Sequence, residues 1–543
     1  MMLFFAAFTI ALVITIVLIP PLSRYADRLK LVDMPGERKV HTASIPRVGG
    51  IGMVLGILIP VFLWVELDPA IVSLLAGIGV IFVFGVWDDR GDLDYRLKFA
   101  GQIIAACIVV IYGDITIRIV PFFGFDPVSP WFSYPLSIFA LVAVTNAINL
   151  ADGLDGLAAG VVLLSLAGMG ILALLSDGAN LLLITLAVGG SIVGFLRFNT
   201  YPARIFMGDT GSQFLGFSAG VLMIMLTQQL NPALNPAIPL LLLGVPLFDT
   251  LFVMIRRIYY GKSPFSPDKN HIHHQLLALN LDHYEAVIVI YLVQAIFVFS
   301  GVVFRYQPDL YVVGGWLLAN AMLAMVLVAA GRAGWRAHEE RRPSLLARLV
   351  GSSYQSHFYM ISLYILRIGV GLLLLLGPIL VKQVEPELGL ASALLGMLLL
   401  LRLVFGRYLW FIYLRLLLYV AVAFVVYLVD QTLTAMDPSL LVYEYIYIGI
   451  IAVALVIGAR YKIDDAFKTT PTDYLIVLLM IGSVLVPRVY TGGEGAIPLA
   501  VKLIIMFYAI EVLLRHMNVR WTDVTLTAFW AFGLLAVKGL GFV

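Results

Sequence analysis

Apolar residues run in long, nearly charge-free stretches along this chain, and short polar segments punctuate them. A helix rises about 1.5 Å per residue, so roughly 18 or more such residues are long enough to cross a bilayer. That pattern predicts membrane helices over 2–22, 49–65, 70–87, 98–116, 132–150, 157–176, 179–196, 211–229, 236–255, 284–304 and 310–331. The segment GRAGWRAHEERRPSLLARL (331–349) is the most charged stretch and marks a boundary. Beyond it, helices are predicted over 356–381, 388–406, 409–429, 440–459, 472–487, 497–516 and 522–540. The expected fold is an all-α polytopic membrane protein, with an eleven-helix core over 1–331, a basic linker over 332–355 and a second block of seven helices over 356–543. No repeat relates the two blocks.

Composition agrees. Of 543 residues, 61% are hydrophobic and 13% charged, too apolar for an ordinary soluble protein. A net charge of +2 does not suggest a nucleic-acid partner. Cys107 is the only cysteine, which excludes an intramolecular disulfide and argues against a cysteine-based metal site. The first apolar segment lacks a basic start and a small-residue cleavage site, so it is expected to be a retained helix with its N-terminus outside. Arg and Lys concentrate in the odd-numbered loops, whereas ELDP, SDGAN and TQQLNPALN carry none; Arg118 and Arg305 are the main exceptions. By the positive-inside rule the odd loops, and the basic linker, are cytoplasmic. In the second block Arg367, Arg402 and Arg415 fall within apolar runs, either snorkelling at helix ends or serving a lipid-handling or partner-binding module.

The polar chemistry gathers on that one face. WDDRGDLDYRLK (87–98) occupies the third loop, NLADGLDGL (149–157) the fifth, RFNTYPARIFMGDTGSQ (197–213) the seventh and RRIYYGKSPFSPDKNHIHHQLL (256–277) the ninth. Each has an ordinary reading beside a functional one. Acids in DDRGDLD suit a solvated loop, but adjacent carboxylates repel unless a cation is near. Asn146, Asn149, Asp152 and Asp155, spaced by three, suit a helix end with turn residues, or a stripe of oxygen ligands for a hard cation such as Mg²⁺. Gly153 and Gly156 would let a ligand approach the backbone. Asp209 fits a helix cap or a cation ligand, and a helix N-terminus there would favour phosphate. His271, His273 and His274 raise zinc, but no Glu or Cys accompanies them in a zinc spacing; phosphate or sugar contact with Lys269, or a structural turn, are the alternatives.

Together DDRGDLD, NAINLADGLDGLA, RIFMGDTGS and SPFSPDKNHIHH, with RKVHTASIPRVGG (38–50), resemble the polyprenyl-phosphate N-acetylhexosamine-1-phosphate transferases of bacterial envelope synthesis (glycosyltransferase family 4). The resemblance covers about residues 1–331. NHIHH, in place of three consecutive histidines, is similar to the branch that uses UDP-N-acetylglucosamine with undecaprenyl phosphate. The resemblance implies Mg²⁺, with Mn²⁺ as a substitute, held by Asn149 and Asp209. It implies a uracil pocket of Gly153, Leu154, Asp155 and Phe206, with Asp152 beside the nucleotide. Lys39 and Lys98 would meet phosphates, His271, His273 and His274 the diphosphate or sugar, and Asp88 and Asp89 the lipid phosphate, one of them as a base. It further implies residence in the bacterial inner membrane, a membrane-lipid partner, a cytoplasmic active site, an O-antigen or other envelope polysaccharide pathway, and leaves a homodimer open. A lipid or nucleotide-sugar transporter is the rival class, but transporters place charge near the midplane and often carry inverted repeats.

Overall fold

A computed structural model describes residues 2–34, 44–263, 270–337, 352–405, 410–460 and 522–541, apart from single positions at 92, 125 and 437, together with scattered residues between 475 and 513. These residues form two compact units, one made mainly of Met1–Glu340 and the other of Arg341–Lys468 with Ser483–Val543.

In the first unit the described helices are α1 (Met2–Leu29), α2 (Gly49–Trp64), α3 (Pro69–Gly91), α4 (Tyr95–Cys107), α5 (Pro130–Ala151), α6 (Leu157–Leu175), α7 (Ala179–Asn199), α8 (Gly208–Ile224), α9 (Ile238–Leu242), α10 (Gly244–Tyr259), α11 (Ile272–Ala278), α12 (His283–Val303) and α13 (Asp309–Arg332). Wider π turns extend α4 over Ile108–Tyr112 and α8 over Met225–Leu230. Ten described helices of the whole chain are long and apolar enough to cross a membrane. The protein is a multi-pass membrane protein, helical as its apolar pattern predicts, with one local exception. Val32–Asp33 (β1) pairs antiparallel with Ile45–Pro46 (β2), and an Asp33–Arg47 ion pair closes that hairpin.

Helix α8 is the axis of this unit. It is buried from Thr210 to Thr227 and packs against α2, α3, α5 and α6. The small residues Gly216, Ser218, Ala219 and Gly220 let its neighbours come close. Gly190 and Gly194 do the same for α1 and α7: a Cβ on Gly190 would lie 2.1 Å from the Phe8 carbonyl oxygen. Those glycines therefore serve helix packing.

Three boundaries differ from the apolar pattern, each for a local reason. Helix α3 runs on to Gly91, so Asp88 and Asp89 lie on its last turn and not in a loop. The predicted span 236–255 breaks at Leu243 into α9 and α10. Gln294 of α12 repairs the break, accepting the Val245 N–H (3.1 Å) and donating to the Leu242 carbonyl (2.8 Å). Short α11 arises where His271 sits extended before a helical turn.

Arg118 and Arg305, the two exceptions to the charge rule, have local partners. Arg118 pairs with Asp114 at 2.5 Å, and the Arg305 guanidinium lies 4.8 Å over the Tyr306 ring.

In the second unit the described helices are α14 (Ser352–Leu380), α15 (Pro386–Phe405), α16 (Trp410–Met436), α17 (Leu441–Arg460) and α18 (Thr522–Gly539). Leu366, Val370, Leu374, Val425 and Phe532 belong to their apolar core. Lys502 is sealed there between Asp430 (2.6 Å) and Glu444 (2.5 Å), under the Tyr445 ring. Arg367 is half-buried on α14. The side chains of Arg402 and Arg415, and most of the predicted spans 472–487 and 497–516, lie outside the described residues.

Candidate active site

Adjacent residues on a helix project about 100° apart, so the pair Asp88–Asp89 cannot point at one target. Both are buried, at 1% and 5% exposure. Asp88 turns toward α4. Its Oδ1 accepts the Leu93 N–H (2.7 Å), and its Oδ2 pairs with Lys98 Nζ at 2.5 Å. Asp94 caps α4 by accepting the Arg96 N–H, which sets Lys98 on the first turn of that helix.

Asp89 turns the other way, onto the head of α8. It accepts the N–H groups of Asp209 (2.8 Å) and Thr210 (3.0 Å) and the Thr210 hydroxyl (2.6 Å). It is thus a helix cap supplied from another helix. A helix start leaves its first N–H groups without partners, and a carboxylate there also opposes the positive end of the dipole. Gly208 makes the approach possible. Its φ is +68°, and a Cβ there would lie 2.4 Å from Asp89 Oδ2.

Asp209, thus positioned, meets Lys98 and Asn149. Lys98 Nζ lies 3.0 Å from its Oδ2, and Asn149 Nδ2 lies 2.6 Å from its Oδ1. The same Asn149 amide reaches Ser212 Oγ at 2.8 Å. Segments of α3, α4, α5 and α8 therefore converge on Lys98 and Asp209. Beneath them lies a buried amide ladder, in which Gln102 donates to Gln213 (3.1 Å) and Asn146 donates to Gln102 (2.6 Å) and the Val142 carbonyl. Both bonds of Asn146 are structural, within the helix bundle.

A second cluster surrounds the turn after α5. Gly153 was expected to admit a ligand to its backbone. Instead His273 occupies that space, for a Cβ on Gly153 would fall 2.3 Å from His273 Nε2. Asp155 Oδ2 accepts the Ala203 N–H (2.9 Å), and the Asp155 N–H donates to His283 Nε2 (2.9 Å). His283 stacks on Tyr201 with ring centroids 4.5 Å apart. Leu154 is buried. Phe206 is half-buried, its backbone stitched to Pro46 and Gly49, so the β hairpin fixes its place. Thus Asp155 ties the 152–156 turn to the segment leading into Phe206. Asn199 adds a tie, accepting the Gly156 N–H and donating to the Ile205 carbonyl.

His271, His273 and His274 form a file of rings, with His271 stacked on His273 (5.8 Å, 9°) and His273 tilted on His274 (4.2 Å). Burial pushes the His273 imidazole down to about 3, helped by the charges of the neighbouring histidines, so it is neutral near pH 7. Desolvation by packed neighbours pushes the Asp152 carboxyl up to about 7, with further push from Asp209, Asp155 and Asp89. Asp152 nevertheless keeps an exposed edge, where water screens part of that effect. Lys39 and Lys269 lie outside the described residues.

Among the described residues no three His, Cys, Asp or Glu side chains converge into a cage able to hold a metal unaided. The oxygens that do converge are those of Asp88 and Asp209, which share the Lys98 ammonium, and Ser212 Oγ, with the Asn149 amide nitrogen between Asp209 and Ser212. Mg²⁺ suits such a set, because it takes one or two carboxylates and completes its shell with waters and substrate phosphates.

Asp249 and His283 escaped the sequence reading. Asp249 is a single acid inside an apolar run, and His283 merely precedes the predicted helix over 284–304, so neither stood in a motif.

The fold and this site define a polytopic membrane protein that places a lysine, carboxylates and histidines at one end of a helix bundle. Comparison with known proteins is more specific. The glycosyl transferase family 4 profile matches residues 71–227. The chain is 39% identical over 302 residues to a probable undecaprenyl-phosphate N-acetylglucosaminyl 1-phosphate transferase of Bacillus subtilis (strain 168), covering 55% of this chain and 84% of that one. It is 38% identical over 301 residues to a decaprenyl-phosphate N-acetylglucosaminephosphotransferase of Mycobacterium leprae (strain TN), covering 49% and 75%. It is 30% identical over 312 residues to an undecaprenyl-phosphate alpha-N-acetylglucosaminyl 1-phosphate transferase of Escherichia coli (strain K12), covering 56% and 83%. The chain belongs to the polyprenyl-phosphate N-acetylhexosamine-1-phosphate transferases of glycosyl transferase family 4.

Proposed function

We infer that this protein transfers N-acetylglucosamine-1-phosphate from UDP-N-acetylglucosamine to undecaprenyl phosphate, releasing UMP. The observation that carries this reading is the convergence of Lys98, Asp88, Asn149 and Asp209, from four separate helices, on one charged point. The relatives' names print an undecaprenyl-phosphate acceptor and a transferred N-acetylglucosaminyl 1-phosphate group, and UDP as the carrier of that group is part of this inference. The site lies at the cytoplasmic surface of the bacterial inner membrane, where a soluble nucleotide-sugar and a lipid phosphate meet. The product opens an envelope polysaccharide pathway.

In this reading a phosphate oxygen of the lipid attacks the β-phosphorus of the donor. The bond from that phosphorus to the bridging oxygen breaks, and the bridging oxygen leaves on UMP. A phosphomonoester is largely dianionic near neutral pH, with a second pKa of about 6, so no side chain has to remove a proton. Asp88 is then the anchor and counter-ion of Lys98, not a base. Lys98 neutralises phosphate charge and aligns the reactants. Asp89 holds the head of α8 and so sets Asp209. Asn149 and Asp209 would hold Mg²⁺, which supplies Lewis-acid neutralisation of the diphosphate when bound. The 153–155 turn, tied to the segment before Phe206, forms the wall for uracil, with Asp152 at its rim.

Purified full-length protein should move label from UDP-N-acetylglucosamine into a lipid fraction with equimolar UMP, and lose that activity on chelation. A donor panel fixes the sugar. Exchange of nucleotide-sugar across sealed vesicles without a covalent lipid product would overturn the reading in favour of transport.

A further inference from the structure

Asp249 sits on the second turn of α10, at 6% exposure, 22 residues before His271. Each of its carboxylate oxygens takes one nitrogen of the same short segment: Oδ2 lies 2.8 Å from His271 Nδ1, and Oδ1 accepts the Ile272 N–H at 2.8 Å. A buried carboxylate of this kind has one role open to it, that of acceptor. The proton on the His271 ring therefore belongs on Nδ1, and Nε2 is left as the nitrogen that a ligand can use. The ring has little freedom otherwise. His271 is 6% exposed and lies nearly parallel to His273, which itself rests against the Gly153 backbone. Asp249 is thus the fixed end of a file that runs from α10 to the 152–156 turn.

We propose that Asp249 is a positioning residue that holds His271 in its Nδ1–H form and leaves Nε2 unprotonated, to accept a hydrogen bond from a hydroxyl of the substrate's sugar. The proposal rests on the transfer reaction inferred above. Asp249 touches no substrate in this scheme; it acts through His271, by fixing both the ring's rotation and the nitrogen that bears the proton.

Asp249→Asn tests this, because the side chain keeps its shape while its amide can donate to Nδ1 and so drive the proton to Nε2. Full-length protein carrying ¹⁵N-histidine would be compared with the Asp249→Asn and Asp249→Glu variants, and the His271 signals identified by their loss in His271→Gln. The wild type should show His271 protonated on Nδ1, and Asp249→Asn should move the proton to Nε2. Turnover of Asp249→Asn should fall about 30- to 300-fold with the KM for the donor changed less than about threefold, and Asp249→Glu should recover at least a third of wild-type turnover. A wild-type His271 protonated on Nε2 overturns the proposal without any variant having to fold. So does an Asp249→Asn enzyme with wild-type turnover. A wild type that transfers no sugar phosphate would instead sink the transfer reading, and the tautomer measurement would still stand.

Discussion

Lys98 contacts Asp88 and Asp209 in the first unit, and Lys502 contacts Asp430 and Glu444 in the second. Each cluster has one ammonium and two carboxylates at hydrogen-bond distance. Their surroundings differ. The Lys98 side chain is 32% exposed and faces the head of a helix, beside an amide and a glycine turn. The Lys502 side chain is 1% exposed, under a tyrosine ring and inside an apolar core. An ion cluster that water and ligands can reach is able to exchange partners. A sealed one holds helices together, and taking one member away strands the remaining charge. The same residue types therefore make a site in one unit and a clamp in the other.

This contrast can be broken at several points. Asp209→Asn should have the largest effect, a loss of about 10³-fold in transfer with little change in thermal midpoint, because Asp209 meets Lys98 and Asn149 where charge develops. Full activity in that variant would remove the first cluster from the chemistry. Lys502→Met should show the reverse, a loss of about 3–5 kcal/mol in the stability of the second unit with transfer preserved. If instead its unfolding is unchanged and activity disappears, the clamp reading is wrong.

The two adjacent acids sharpen the comparison further. Asp89→Ala should cost about 2 kcal/mol, read as a lower thermal midpoint, since it deletes the cap of α8. Asp88→Asn should lower turnover about tenfold and leave the pH profile unshifted, for it loosens Lys98 without removing a base; a much larger loss with a displaced acidic limb would restore the base role.

The comparison also extends to pH dependence. His273 is held down to about 3, below the ordinary histidine value, so the unfolded chain binds the extra proton between roughly pH 6.5 and 3. Stability should therefore fall as pH drops through that window, by no more than about 1.4 kcal/mol per unit from this group. His273→Gln should flatten the slope of thermal midpoint against pH, and an unaltered slope would assign the loss elsewhere.

Much of this site was legible from residue types. Asp88, Asp89, Lys98, Asn149 and Asp209 stood in motifs, and the structure gathers all five around the head of α8. Their partners were not legible. Asp249 lies in GVPLFDTLFV, where a lone acid reads as a polar interruption of a span, and only the fold carries His271 to it. The break at Leu243 was equally hidden, because the apolar run is continuous and the side chain that satisfies it, Gln294, comes from α12. Gly153 was expected to admit a ligand, whereas a histidine takes the space its missing Cβ leaves.

By itself the sequence determined that the described spans are helical and which chemical types stand near their ends. Apolar runs and their period act locally, through residues within a turn or two of each other. Only the tertiary structure decided which acid caps α8, which anchors Lys98 and which orients His271. Those assignments depend on hydrogen-bond partners far apart in the chain, as between Asp89 and Asp209, separated by 120 residues. Whether two such groups meet is settled by packing around a buried helix, which no local pattern encodes.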